Sequence, residues 1–261
     1  MDQKKIGEPL LVAKGVSKNF GGVQAVSNVS FTLQKGEIVG LIGPNGAGKT
    51  TLVNLLSGVL SPNSGKILFR GKDVTRQKPY QAARGGIART FQIVQPFPNM
   101  TALENVTAAV IFASQKTSNV HHARELAMEH LSFVGLREVA DSHAQTLTLP
   151  SRKRLELAKS LAMNPDVLML DEVNAGLNTG EIDEALGLIR KIASQGITIM
   201  IIEHLMKVVL SLSDRILVLH HGELISQGKA EDVVSDPKVI EAYLGSKFSE
   251  KQIFLEDSRR G

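Results

Sequence analysis

Gly43-Pro44-Asn45-Gly46-Ala47-Gly48-Lys49-Thr50 is the stretch that decides how this chain is read. It fits the pattern G-x-x-x-x-G-K-[ST], and it falls where that pattern has to fall. Ahead of it, Ile38–Ile42 is a short apolar run between Gly36 and Gly43, which reads as a buried strand. Behind it, Lys49 opens a stretch that reads as a helix to about Ser57, where Gly58 can end it. Glycines let the main chain curl so that several N–H groups face one phosphate, and a helix start adds partial positive charge. In such a loop Lys49 bridges the β- and γ-phosphates and the Thr50 hydroxyl ligates Mg²⁺. The expected nucleotide-binding set is Gly43, Pro44, Asn45, Gly46, Ala47, Gly48, Lys49, Thr50 and the adjoining Thr51, with ATP and Mg²⁺ as the ligands.

A phosphate loop needs a second metal partner at the end of a neighbouring strand. Val167-Leu168-Met169-Leu170-Asp171-Glu172 supplies one. Four apolar residues make a buried strand, and Asp171 emerges at its C-terminal end, where α/β sheets place ligands. Alone, the pair would be an acidic helix start. Beside the loop it becomes a metal carboxylate, acting directly or through water, followed by a general base, Glu172, to polarise the attacking water.

Working outward, Val29–Leu33 alternates like a half-exposed strand, and Lys66–Phe69 reads as another. From about Tyr80 to Asn164 the chain is rich in helical patterns (Ala102–Phe112, His122–Val134, Arg152–Met163) and poor in strands, as a helical insertion would be. Ile197–Ile202 and Arg215–His220 are further buried strands, alternating with helices at Glu181–Ser194 and Leu205–Leu212. That alternation implies a mainly parallel sheet. Gly222 and Gly228 bracket a small hairpin, and the charged tail from Ser246 is expected to be loose.

Composition narrows the class. The 261 residues suffice for one large α/β domain or a core carrying an inserted subdomain, and 43% hydrophobic with 21% charged residues is ordinary for a globular protein. A net charge of +4 fits a phosphate-binding enzyme or a protein near an anionic membrane, and gives no ground for nucleic acid as a partner. With no cysteine, disulfides, thiolate chemistry and cysteine zinc sites are excluded. The polar Met1–Ile6 shows no signal-peptide pattern, and the apolar runs near Val106–Ala113 and Ile197–Ile202 fall far short of the ~20 residues that span a bilayer. The histidine pairs His121-His122 and His220-His221 should point apart on regular elements, so no histidine metal site is expected. Arg152-Lys153-Arg154 reads as the polar face of a helix that turns Leu155, Ala158, Leu161 and Ala162 inward.

In the order of its further pieces the chain resembles the ABC ATPase family over roughly Leu10 to Gly245. The resemblance implies one domain, residues 8–245: a P-loop NTPase core with a mainly parallel sheet, an antiparallel β subdomain, and an inserted α-helical subdomain at about 80–164. Phe20 matches the aromatic residue laid over adenine. Gln92, in Arg89-Thr90-Phe91-Gln92, matches the glutamine that contacts Mg²⁺ and the attacking water. His204, after Glu203, matches the histidine that senses the γ-phosphate. Ala175-Gly176-Leu177-Asn178 matches the loop that crosses the dimer interface. Together with Asn19-Phe20-Gly21-Gly22, the run Glu203–Val209, the run Ser213–Gly222 and the ending Glu241–Gly245, it is similar to the LivG-type ATPases of branched-chain amino acid importers. The implied setting is the cytoplasmic face of a bacterial plasma membrane, beneath two permease subunits. A second ATP-binding subunit would pack head to tail, and a periplasmic binding protein would deliver the solute. Branched-chain or other hydrophobic amino acids are the implied solutes, with urea, amides and aromatic acids among those of related systems. The resemblance favours a different second ATPase over a homodimer. Phe97 and Met100, within Phe91–Thr101, are the candidate permease contacts.

The chain departs from the family at its signature, usually L-S-x-G-Q, where Leu147-Thr148-Leu149-Pro150-Ser151 stands. Thr148 keeps the hydroxyl that in the family meets the nucleotide of the other subunit, but Pro150 has no N–H to donate. Two readings follow: a weakened second ATP site in a heterodimer, or a tolerated variant. Val173 also replaces the family's usual proline. Among rival functions, an ABC ATPase acting on DNA or ribosomes would carry two cassettes, long coiled coils or zinc modules, and this chain has one P-loop, no heptad run and no cysteine. A regulatory module with little turnover is suggested by Pro150 and opposed by Glu172 and His204.

Overall fold

The computed structural model describes residues 7–90, 96–113, 119–203 and 205–244. In chain order the elements are β1 (Pro9–Phe20), β2 (Val23–Gln34), β3 (Ile38–Ile42), α1 (Lys49–Leu56), β4 (Ser64–Phe69), β5 (Lys72–Asp73), α2 (Pro79–Gly85), β6 (Ile87–Arg89), α3 (Ala102–Ala113), α4 (Val120–Phe133) and α5 (Leu149–Ala162). There follow β7 (Val167–Asp171), α6 (Thr179–Ser194), β8 (Thr198–Ile202), α7 (Met206–Leu212), β9 (Arg215–His220), β10 (Glu223–Gly228), α8 (Ala230–Ser235) and α9 (Pro237–Leu244). Two compact units divide the chain, Lys78–Ile199 forming one and the residues on either side forming the other, so the boundary falls inside β8.

The discontinuous unit holds an antiparallel sheet of order β2-β1-β4-β5 and the strands β10-β9-β3, with β8 next to β3. The alternation read at Val29–Leu33 is real: Val29, Phe31 and Leu33 are buried and Ser30 is exposed. The strand itself starts earlier, at Val23, and β1 shows no clear period in the sequence. Both strands are bulged. Asn28 takes φ 48 and Gly15 φ 57, and the β1–β2 register shifts between Val16 and Lys18. A bulge adds a residue to one strand, so period-two alternation breaks there and the pattern is lost from sequence. Parallel pairing of β3 with β9 sets Val39 opposite Arg215 and Ile42 opposite Val218. The start of that pair is pinned by charge: Asp214 Oδ2 accepts from the Ile38 N–H at 2.9 Å, and the Arg215 guanidinium donates to Glu37 at 3.0 Å and to the Thr32 carbonyl at 2.5 Å. Ile42, Val209, Ile216, Val218, Val233 and Val239 close into one buried cluster beneath α7, α8 and α9. Each such side chain contributes about 1.5–3 kcal/mol relative to exposure.

The Lys78–Ile199 unit carries β6, β7 and β8 with helices α2 to α6. Leu103, Val106 and Val110 of α3, Ala127 and Leu131 of α4, and Leu155 and Ala158 of α5 are its buried apolar faces. The segment expected to be poor in strands contains one, β6, pairing parallel with β7 so that Ile87 faces Val167 and Arg89 faces Met169. Three residues are too few to show a period, and the strand exists because β7 offers it a ladder. The start of α5 is Leu149, ahead of the expected Arg152, because Thr148 caps it by accepting from the Ser151 N–H and proline suits the first turn. The histidine pairs do not point apart. His121 and His122 both bring Nδ1 to 3.4 Å from Glu125, while His221, at φ 48, brings its ring centroid to 4.0 Å from that of His220. Among the described residues no group of three metal-ligating side chains forms, and no helix is long and apolar enough to cross a membrane.

Candidate functional site

The residues expected to act on a nucleotide divide between the units: Phe20 and Gly43–Thr51 in one, Thr148, Asp171 and Glu172 in the other. Gln92 and His204 lie outside the described residues, as do the tail from Ser246 and the stretch Phe91–Gln95 of the expected permease contact.

The loop after β3 is a glycine-shaped turn. Gly43 has φ 153, and a Cβ there would lie 2.1 Å from the Leu219 carbonyl oxygen. Gly48, at φ 100, is the residue from which α1 starts, and its Cβ would lie 2.3 Å from the Ala25 carbonyl oxygen. Neither backbone can accept a side chain. The loop is braced from behind, since the Gly222 N–H donates to the Ala47 carbonyl at 3.0 Å and the Ser27 N–H donates to that of Gly222 at 2.8 Å. Lys49 is 7% exposed and folds back over the loop, its ammonium donating to the Gly43 carbonyl at 2.7 Å and the Pro44 carbonyl at 3.0 Å. Asn45, Gly46 and Thr50 are exposed, and Thr51 is half-buried. Phe20, 47% exposed, ends β1 with the Lys18 ammonium 5.4 Å from its ring centroid, within cation–π range.

In the other unit Asp171 is the last residue of β7 and is 4% exposed. Its N–H donates to the Thr90 hydroxyl at 3.2 Å, and its Oδ2 accepts from Arg89 at 3.2 Å. Burial pushes the Arg89 guanidinium down from its usual pKa, and the charge of Asp171 opposes that shift. Glu172, half-buried, follows in the left-handed region at φ 49, a conformation costing a non-glycine residue roughly 1–2 kcal/mol. Thr148 sits exposed at the start of α5. Its hydroxyl accepts from the Ser151 N–H at 3.4 Å and donates to the Ser151 hydroxyl at 3.1 Å.

Three residues of this unit contact the expected site residues without being singled out by the sequence pattern. Arg89 and Thr90 hold Asp171; both lie at the end of β6, the strand too short to be read. Lys153, assigned to a solvated helix face, instead donates to three main-chain carbonyls behind β7, and its neighbour Arg154 pairs with Glu184. Only contact with the chain behind β7 distinguishes Lys153 from an ordinary surface lysine. The expected partner-contact residues are placed by a buried amide: Asn105 Oδ1 accepts from the Phe97 N–H at 2.8 Å, and its Nδ2 donates to the Phe97 and Thr101 carbonyls at 3.1 and 3.0 Å. Phe97 is left 56% exposed, with the Lys159 ammonium 5.7 Å from its ring centroid, while Met100 is half-buried.

The chain is similar to known proteins over most of its length. Residues 26–175 match the ABC transporter family, and residues 223–249 match the branched-chain amino acid ATP-binding cassette transporter family. The high-affinity branched-chain amino acid transport ATP-binding protein LivG of Salmonella typhimurium is 40% identical over 255 residues, covering 92% of this chain and 99% of that one. BraF of Pseudomonas aeruginosa, of the same description, is 38% identical over 253 residues, covering 92% and 99%. Among solved structures, an ATP-binding cassette of an ABC transporter in its ADP conformation superposes with a TM-score of 0.81 at 33% identity, covering 91% of this chain and 99% of that one. A dimeric bacterial ABC transporter cassette superposes with a TM-score of 0.77 at 25% identity, covering 84% and 98%.

Proposed function

The chain belongs to the ABC transporter family of ATP-binding proteins, and from that premise we propose that it hydrolyses MgATP to drive uptake of branched-chain or other hydrophobic amino acids. ABC ATP-binding proteins bind nucleotide and work with membrane permease components. The solute reading is supported by what the LivG and BraF relatives are named for and by the match of residues 223–249.

The observation that carries the proposal is the loop Gly43–Lys49, where two positions exclude a Cβ and an almost buried ammonium is held over main-chain carbonyls. Such a cradle suits a phosphate and little else. Lys49 exchanges its carbonyl contacts for β- and γ-phosphate oxygens, and Phe20 offers a ring face to the adenine. The Thr50 hydroxyl and the Asp171 carboxylate are hard oxygen donors that fit Mg²⁺, with Gln92 as a third. Bound there, the ion neutralises charge on the phosphate oxygens. Glu172 accepts the proton of the attacking water, and His204 reads the γ-phosphate. The domain is residues 8–245, with helices at about 80–164 as its inserted part.

Two permeases, a second ATP-binding subunit packed head to tail and a periplasmic binding protein complete the assembly, placing the chain on the cytoplasmic membrane face. Phe97 and Met100 contact a permease. Existence of a dimeric relative supports the pairing. The second subunit is a different chain, because Pro150 and the capping role of Thr148 leave a poor signature on this one. In vesicles holding the assembled transporter, Lys49→Ala is expected to abolish nucleotide binding at this chain's own loop, Glu172→Gln to keep binding and abolish turnover at that site, and Gln92→Ala to uncouple transport from hydrolysis. Full turnover by Lys49→Ala would remove the proposal.

A further inference from the structure

Lys153 lies one turn into α5, and its Nζ donates to the Glu172 carbonyl at 3.4 Å, the Val173 carbonyl at 2.8 Å and the Ala175 carbonyl at 2.5 Å. An ammonium offers three donors and no acceptor, so a nest of carbonyls is the partner it suits. Those carbonyls come from one short stretch, and their negative ends would repel one another without a cation among them. The Ala175 N–H closes the same turn by donating to the Glu172 carbonyl at 3.2 Å, and the Leu177 N–H does so to Asn174 at 3.2 Å. Glu172 stands at φ 49 at the head of this stretch. Left-handed backbone at a residue with a Cβ persists only where its surroundings over-determine it.

We propose that Lys153 is a positioning residue for Glu172: by gathering the carbonyls of residues 172, 173 and 175 it holds the Glu172 backbone left-handed and so fixes the direction in which the carboxylate leaves the chain. The proposal rests on Glu172 being the general base. Without the ammonium the carbonyls separate, φ of Glu172 relaxes to negative values, and the carboxylate swings from its line. A misplacement of about 1 Å costs on the order of a hundredfold in rate while leaving the nucleotide contacts in place.

The test uses the assembled transporter for kinetics and the full-length chain for hydrogen exchange. Lys153→Met is expected to lower kcat about a hundredfold with KM for ATP unchanged, and to speed exchange at the Ala175 and Leu177 amides. Lys153→Arg, which still brings N–H donors to the carbonyls, is expected to restore most of both. The loss in kcat should vanish when Lys153→Met is added to Glu172→Gln, whereas faster exchange should persist there. An unchanged kcat in Lys153→Met overturns the proposal, as does a joint change of kcat and KM that Lys153→Arg does not rescue. Substantial turnover by Glu172→Gln at the site built on this chain's own Lys49, read with the opposite site silenced, would instead fault the base assignment, and the exchange measurement would then still judge the clamp.

Discussion

Arg89 Nη2 stands 3.2 Å from Asp171 Oδ2, with the two side chains only 10% and 5% exposed. The pair binds the end of β6 to the end of β7, reaching two residues beyond Met169, the register partner of Arg89. Taking one partner from a buried ion pair costs about 3–5 kcal/mol, because the other charge stays in low dielectric. Arg89→Met is therefore expected to lower the unfolding free energy from urea titration by that order, with a lower midpoint, and Arg89→Met with Asp171→Asn should recover part of it. A single variant with the parent's midpoint would show that the pair contributes nothing.

The phosphate loop offers a sharper contrast, since its glycines are not equivalent. At Gly43 a Cβ meets the Leu219 carbonyl oxygen at 2.1 Å, and at Gly46, with φ 79, it meets nothing within 4 Å. Gly46→Ala should cost only the left-handed strain, about 1–2 kcal/mol. Gly43→Ala must also push β9 from β3, so it should lose several kcal/mol and ATP binding with it. Thermal melts of the two variants decide the matter. Equal shifts would mean that the loop yields where the geometry says it cannot.

His130, in the last turn of α4, has its pKa held below the ordinary 6.5 by burial, against the opposing pull of Glu129. With a depressed folded value, the unfolded chain takes up the proton first as pH falls. Stability from this group is thus fully present above pH 6.5 and is lost on acidification through the folded value. Replacing His130 by Gln should flatten the fall in melting temperature below pH 6.5. An identical slope in both proteins would exclude the histidine as its source.

How far the sequence was legible follows from what kind of order each element has. The buried strands β3, β7 and β9 announce themselves as unbroken apolar runs, and the helices α3, α4 and α6 because one period runs through each. Strand β1 hides because bulges at Gly15 and across from Asn28 break that period, and β6 hides because three residues carry none. The phosphate loop was legible because its chemistry restricts residue types at fixed spacing. Arg89 and Lys153 were not, since an arginine or lysine is common on any surface. What sets these two apart is a carboxylate 82 residues away in one case and carbonyls about 20 away in the other.

The start of α5 bears on how this chain pairs with another. Of its first residues, Pro150 has no N–H, and the Ser151 N–H is held by Thr148 at 3.4 Å. The Thr148 hydroxyl is itself directed at Ser151 Oγ, 3.1 Å away. Local capping therefore uses the groups that an anion would need, and a second copy of this chain would meet a helix end poor in donors. Thr148→Ala should remove the cap and cost about 1 kcal/mol of stability. It should leave turnover at the site built on this chain's own Lys49 untouched, because that site draws on the partner's signature. Pro150→Gly should do the reverse, restoring one donor at slight cost in stability and raising turnover at the opposite site. A charge-assisted hydrogen bond is worth about 1.5–3 kcal/mol, so the gain should be tenfold or more. The measurement is ATPase activity of the transporter with Glu172→Gln present, so that only the opposite site turns over. If Pro150→Gly brings no gain in that background, the proline is a tolerated variant and the two ATP sites are not made unequal by it.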